Sequence, residues 1–470
     1  MPDEFDVIVI GGGPAGENVA DRAGRGGLTV AVVEGGLAGG ECSYWACVPS
    51  KALLRPVELA AEVGRMPGLR LGPIDAGAVL ARRDEAVSHY DDTGQVRWIE
   101  GVPATFVRGR GSLDGPLRVR VAEPGGGSRS LTARHAVVLA TGSHAAVPPV
   151  PGLAEAEPWT SHEVTAVKAV PGSLAVIGGG VVACEMAQAM HGLGAARTTM
   201  LVRGDRLLPR MEPFASELVA ESFAASGIDV RTGTGVVRVE RSSPGGPVTV
   251  HLSSGALVEA DELLVATGRR PAVDGIGLES VGLPGDRFVE VDDSMRATGV
   301  DGGWLYAVGD VNGRDLLTHM GKYQARACGD VIAARAKGEP DDLPSMRAGA
   351  GGYGAPQVVF TDPQVCAVGR TEALARADGF PVRAVEYDLG AVTGAYLLGD
   401  GYRGRAKAVV DTERRVLLGV TFAGPGAAEL LHAATIAVTA EVPLERLWHA
   451  VPPFPTVSEI WLRLLEAYGL

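Results

Sequence analysis

Two cysteines, Cys42 and Cys47, stand with four residues between them in GGECSYWACVPSK, residues 39–51. In a reducing compartment a close pair of this kind points to redox or metal chemistry before a structural staple. A zinc site needs a full tetrahedral ligand set. No second Cys/His cluster follows, so redox exchange is the better reading and no metal is expected. Lys51 closes the stretch, and lysine is scarce here: Lys168, Lys322, Lys337 and Lys407 complete the set. Tyr44 and Trp45, between the cysteines, either shape a pocket for a planar substrate or pack as ordinary helix-face residues. Cys184, Cys328 and Cys366 lie in apolar contexts and read as small buried hydrophobes.

The elements that must position this pair begin upstream. Residues 6–10, DVIVI, read as a buried strand. GGGPAG follows, with Gly11, Gly13 and Gly16 in G-x-G-x-x-G spacing, then a helix over 18–25 and a second strand over 28–33 ending at Glu34. This is the strand–turn–helix–strand context of a dinucleotide site. The glycines permit a tight turn and let a pyrophosphate approach the helix N-terminus, while Glu34 is placed to accept from a ribose diol. The alternative is a tight turn without ligand. After the cysteines, PSKALLRPVELAAEV continues as a helix, and residues to about 100 read as amphipathic helix. Strands are expected over 105–108, 117–121 and 135–139, the last ending at Thr141-Gly142, where backbone can approach a ligand. PPVPG, at 148–152, reads as a linker.

A second such unit starts at Ser173, with Gly178, Gly180 and Ala183 in G-x-G-x-x-A spacing and the strand TTMLV leading to Arg203. Both units contain VIGGG, so the chain carries an internal repeat. A carboxylate after the second strand reads a ribose hydroxyl, whereas an arginine accommodates a 2′-phosphate. Arg203, with Arg206 and Arg210 nearby, therefore points to NADPH over NADH; otherwise it is a solvated charge. ELLVATGRRP, at 262–271, echoes VVLATGS, and WLYAVGDVN brings Asp310 to a strand end before an apolar helix. From about 350 the pattern changes to antiparallel strands, then helices in AAELLHAATIAVTA and VSEIWLRLLEAYG. No nucleotide motif occurs there, so packing or dimerisation is expected.

The bulk properties agree. A chain of 470 residues implies about two to four domains. Hydrophobic content of 46% with 21% charged residues is ordinary for a globular protein. A net charge of -13 argues against nucleic-acid or anionic-membrane partners. No apolar run reaches membrane-span length. The acidic start, MPDEFDVIVI, leads straight into a strand and does not read as a signal peptide. With only five cysteines, irregularly spaced, a cytoplasmic location is expected.

With these motifs in place, the whole chain resembles the class I pyridine nucleotide-disulfide oxidoreductases, the family of dihydrolipoamide dehydrogenase, glutathione reductase and mercuric reductase. The resemblance rests on the two fingerprints, C-x4-C-x-P-S-K, ATGRRP, YAVGDV and a C-terminal PTVSE. It implies that Cys42 is the interchange thiol that meets substrate and Cys47 the thiol against the flavin. It implies that Lys51 pairs with Glu185 near the flavin. It places Gly11, Gly13, Gly16, Glu34, Gly40, Lys51, Thr141, Gly142, Asp310, Leu317, Thr318 and His319 at FAD. Gly178, Gly180, Glu185, Arg203, Arg206 and Gly268 fall to the nicotinamide nucleotide. The family's C-terminal domain dimerises, and its last loop enters the partner's active site.

That loop is where the resemblance breaks. Disulfide reductases carry His-Pro-Thr followed by a glutamate; this chain reads PPFPTVSE, with Phe454 at the histidine position and Glu459 retained. Phenylalanine cannot move a proton. Mercuric reductases also lack this histidine but end in a cysteine pair, whereas this chain ends EAYGL. His449 is the candidate substitute, set against a surface or structural role.

The expected fold is α/β, with two Rossmann-like dinucleotide-binding domains and a C-terminal α+β dimerisation domain. The FAD domain spans 1–150 and 271–345, the NAD(P) domain 151–270 and the dimerisation domain 346–470. The expected activity is that of a homodimeric FAD enzyme passing electrons from NADPH or NADH through Cys42 and Cys47 to a disulfide, a metal ion or a quinone-like compound. The alternatives are a dithiol oxidase running in reverse and a flavoprotein component of a larger lipoyl-dependent assembly.

Overall fold

A computed structural model describes residues 3–470, which divide into two compact units. The first gathers the chain up to Pro49, Asp84–Ala145 and Arg269–Gly352. Its centre is β1 (Glu4–Ile10), flanked by parallel neighbours β2 (Val30–Glu34) and β6 (Ser128–Leu139). β3 (Ala104–Arg108) extends the sheet beyond β2 in parallel, while β4 (Arg110–Leu113) and β5 (Arg118–Ala122) pair antiparallel beyond β6. Strand Leu305–Ala307 also lies parallel to β6. Period-two geometry sends Val7 and Val9 to one face of β1 and Ile8 and Ile10 to the other. Both faces are covered, which is why the run is apolar without alternation.

α1 (Pro14–Arg25) follows β1 directly, with proline in its first turn, where a missing N–H costs nothing. The long helix Thr318–Lys337 packs along α1, so two helices cover the Val7/Val9 face. The dithiol stretch forms the short α2 (Gly40–Tyr44) and the start of α3 (Cys47–Gly64).

The expected helical run to about residue 100 is instead α3, α4 (Ala76–Ala86) and α5 (Thr93–Gly101), broken at Ser88–Tyr90, where three residues take left-handed backbone. The last expected strand, over 135–139, is the buried end of a longer one. β6 starts at Ser128, and its first half alternates exposed and buried residues because it pairs antiparallel with β5. Only the half between parallel neighbours is apolar on both faces.

The second unit gathers Ser50–Arg83, Ala146–Gly268 and Tyr353–Leu470. Its parallel sheet contains Asp229–Arg231, Arg197–Leu201, Ser173–Ile177 and Glu262–Val265 in that order. Helix Val181–Gly192 leaves the end of Ser173–Ile177, repeating the β1–α1 arrangement. The same unit contains a five-stranded antiparallel sheet, in the order Gln357–Val359, Gln364–Gly369, Val416–Gly424, Arg405–Asp411, Val382–Asp388. Helices Leu431–Thr439 and Ile460–Tyr468 pack on it. Among the described residues, no helix is long and apolar enough to cross a membrane.

Candidate active site

The two fingerprints form the same cradle. Gly11 has φ of 111°, and a Cβ there would lie 2.3 Å from the carbonyl oxygen of Ala140. Gly178 has φ of 135°, and a Cβ there would lie 2.3 Å from the oxygen of Ala266. Ala140 precedes Thr141-Gly142 and Ala266 precedes Thr267-Gly268, so the echoed ATG runs supply the opposing wall of each cradle. Only glycine tolerates both the backbone angle and the approach.

In the first cradle Glu34 fixes the turn, accepting from the Gly12 N–H at 2.7 Å and the Gly36 N–H at 2.6 Å. Thr141 presents a buried hydroxyl with no hydrogen-bond partner among the described residues. Asp310 accepts from the Ser143 hydroxyl at 2.5 Å, and burial raises its carboxyl above the usual range. Leu317, Thr318 and His319 form the N-terminal end of the long helix. A glycine cradle at one helix N-terminus, an unsatisfied buried hydroxyl and a second helix N-terminus fit a dinucleotide such as FAD.

The dithiol is built onto this cradle. Gly39 donates to the Gly12 carbonyl at 2.7 Å, and a Cβ on Gly40 would lie 2.8 Å from Gly13 Cα. Gly40 also has φ of 61°, so both its conformation and its contact require glycine. α2 ends at Trp45, whose N–H donates to the Glu41 carbonyl at 2.8 Å, and α3 begins at Cys47. Cys42 hydrogen-bonds to Cys47, and this bond, with burial behind it, raises the Cys42 thiol far above its ordinary pKa. The Thr318 hydroxyl and the Lys322 ammonium oppose the shift without offsetting it. The Thr318 hydroxyl stands 3.4 Å from Cys47 Sγ.

Sequence reasoning assigned Thr318 to cofactor lining only, and it missed Ser143 and Arg269. The Arg269 guanidinium donates to Ser143 at 2.6 Å and 2.7 Å and forms ion pairs with Glu41 at 3.5 Å and Asp310 at 3.6 Å. It ties the residue before Cys42 to the Asp310 strand end. Its signal was the second half of ATGRRP, whose arginines had no assigned role.

In the second unit Lys51 and Glu185 meet at 2.7 Å, with Glu185 buried. The other Glu185 oxygen accepts from the Phe360 N–H at 2.9 Å, and the Lys51 ammonium lies 4.7 Å from the centre of the Phe360 ring. Phe360 had no expected role. Gly180 caps helix Val181–Gly192, and Gly268 has φ of 140°. Arg203 is exposed two residues beyond Arg197–Leu201, while Arg206 donates to the Pro209 carbonyl at 2.9 Å. Phe454 is 71% exposed; Glu459, five residues on, is buried. His449 is exposed, just past the short helix Leu444–Leu447.

A pyridine nucleotide-disulphide oxidoreductase family model matches residues 5–338, and that family's dimerisation-domain model matches 355–464. A dihydrolipoyl dehydrogenase of Chlamydia muridarum is 32% identical over 98% of this chain and 96% of its own. A mercuric reductase of Staphylococcus aureus is 30% identical over 97% of this chain and 81% of its own. The crystal structure of LpdA from Mycobacterium tuberculosis superposes with a TM-score of 0.85 at 26% identity, covering 99% of this chain and 100% of that one. The Cu(II) complex of RclA, an HOCl-induced flavoprotein disulfide reductase from Escherichia coli, has the same fold, with a TM-score of 0.85 at 24% identity over 99% of each chain. The chain belongs to the pyridine nucleotide-disulphide oxidoreductase family, whose members are FAD-dependent oxidoreductases that use a pyridine nucleotide and act on sulfur groups.

Proposed function

We propose that this protein takes electrons preferentially from NADPH and delivers them through a Cys42–Cys47 disulfide to an acceptor that needs little acid catalysis. The observation that carries the reading is the hydrogen-bonded Cys42–Cys47 pair, fastened to the first cradle through Gly39 and Gly40. Gly11, Gly13, Gly16, Glu34, Thr141, Gly142 and Asp310 would hold FAD, which when bound relays two electrons from the nicotinamide to the disulfide. The second cradle, with Gly178, Gly180 and Gly268, would hold the nicotinamide nucleotide. Arg203 and Arg206 would face a 2′-phosphate.

The residues divide the work. Cys47 lies beside the Thr318 hydroxyl and is the flavin-side sulfur. Cys42 is the interchange sulfur and must lose its proton to attack an acceptor. Burial and Cys47 oppose that loss. An imidazole at position 454 would assist; Phe454 does not. Lys51 is held by Glu185, which the Phe360 N–H locks in place. The dimerisation-domain match supports a homodimer, and the Phe454 loop is assigned to the partner's dithiol. We assign FAD binding to 1–150 and 271–345, nicotinamide binding to 151–270 and dimerisation to 346–470. With a disulfide acceptor the reaction balances as NADPH, one proton and the disulfide giving NADP+ and two thiols. Anaerobic reduction by NADPH and by NADH, followed by acceptors of each class, tests the reading. Flavin reduction without dithiol formation would refute it.

A further inference from the structure

The break between α4 and α5 is the most unusual backbone near the cysteines. Ser88, His89 and Tyr90 all take left-handed backbone, with φ of 51°, 51° and 62°. Side chains other than glycine visit this region as single residues, not in runs. Such strain persists only where the surroundings over-determine it.

Two contacts do so, and both end on the dithiol segment. The Tyr90 ring stacks on Trp45, with centroids 4.8 Å apart and planes at 25°. Asp92, two residues on, accepts from the Ala38 N–H at 2.8 Å and from Arg108 at 2.6 Å. Ala38 lies just before α2, and Trp45 lies between the two cysteines. The turn therefore grips the segment on both sides of Cys42. Asp91 closes the grip by accepting from the Thr93 N–H at 2.8 Å and so starting α5. Trp45 is also the residue where helix ends: its φ of −130° and ψ of −2° leave the helical range, and the chain turns there toward Cys47.

We propose that Tyr90 is a positioning residue for the redox pair, holding the Trp45 turn in the geometry that the reduced dithiol adopts. The inference rests on the assignment of Cys42 and Cys47 as the redox couple. Two electrons and two protons convert their disulfide to two thiols, and the sulfurs must separate from a bond of about 2.05 Å. The Trp45 turn absorbs that change. The stack is present with both cysteines free, so its loss withdraws support from the reduced state.

The test uses the FAD-loaded full chain equilibrated with dithiothreitol and its cyclic disulfide, with the dithiol fraction read by thiol alkylation. Tyr90→Ala should shift the dithiol–disulfide constant toward the disulfide by at least about tenfold, or about 30 mV for a two-electron couple. Tyr90→Phe keeps the ring and should stay within about twofold of wild type. An unchanged constant, or a shift toward the dithiol, overturns the proposal. If Tyr90→Ala does not retain flavin, Trp45→Leu removes the same stack from the other side and should give the same shift. The Trp45→Leu/Tyr90→Ala double variant should then shift no further than either single; additive shifts would show that the two rings act separately. Failure of the underlying assignment reads differently: wild type would take up only the electrons its flavin can hold.

Discussion

Glu459 accepts a hydrogen bond from Arg463 through one carboxylate oxygen, at 2.5 Å, and leaves its other oxygen buried with no hydrogen-bond partner among the described residues. The free acceptor stands five residues after Phe454, the position at which the family resemblance implies a histidine oriented by this glutamate. Phe454→His should therefore find a carboxylate with an open lone pair. We expect it to raise turnover with lipoamide by at least about tenfold, the low end of general acid–base effects. Steady-state kcat at equal flavin loading, compared across pH, checks this; wild-type turnover as fast as flavin reduction would leave Phe454 no handicap to relieve.

The two thiols should part company on substitution. Cys47 and burial raise the Cys42 thiol, and Cys47 itself lies beside the Thr318 hydroxyl. On two-electron reduction a long-wavelength absorbance band from thiolate and oxidised flavin should appear. Cys47→Ser should abolish it, and Cys42→Ser should retain or strengthen it. The opposite pattern would exchange the roles assigned to the two sulfurs.

Nucleotide choice should follow Arg203. Arg203 is exposed, and a bidentate contact between its guanidinium and a 2′-phosphate would be a charge-assisted bond contributing about 1.5–3 kcal/mol. NADPH should outperform NADH in kcat/KM by roughly ten- to a hundredfold. Arg203→Glu should reverse the order. Equal use of both nucleotides by wild type would remove Arg203 from the phosphate site.

Glu17 should make stability depend on pH. It is buried in α1, one of its oxygens lacks a partner among the described residues, and burial pushes its carboxyl up to about 7 against the pull of Lys322. A carboxyl raised on folding binds its proton more tightly in the native state. Its contribution is complete below the unfolded value near 4.5 and is lost as pH rises through about 7. Glu17→Gln should thus leave Tm unchanged relative to wild type below about pH 5 and raise it above about pH 8, by up to about 3 kcal/mol of stability. Thermal unfolding across this range, with flavin in excess, is the measurement; a Tm difference independent of pH would contradict it.

What the sequence determined by itself was whatever short windows of chain enforce. Gly11 and Gly178 were legible because a tight turn against a strand end excludes every side chain, and that constraint shows as glycine spacing. The core strands were legible because burial on both faces demands unbroken apolar runs. The repeat was legible in the shared VIGGG and the echoed ATG, but that each ATG run walls its glycine cradle came from the structure. The Lys51–Glu185 pair came from resemblance rather than from pattern, since 134 residues separate its members. Only the tertiary structure set Thr318 beside Cys47 across 271 residues, and Arg269 against Ser143, Glu41 and Asp310. It alone broke the helix at Ser88–Tyr90, because the local pattern favours helix and the stack on Trp45 with the Asp92 anchor on Ala38 overrides it. Periodicity records which face of an element is buried. Which distant side chain meets that face depends on how the whole chain closes, and no short window of sequence carries that information.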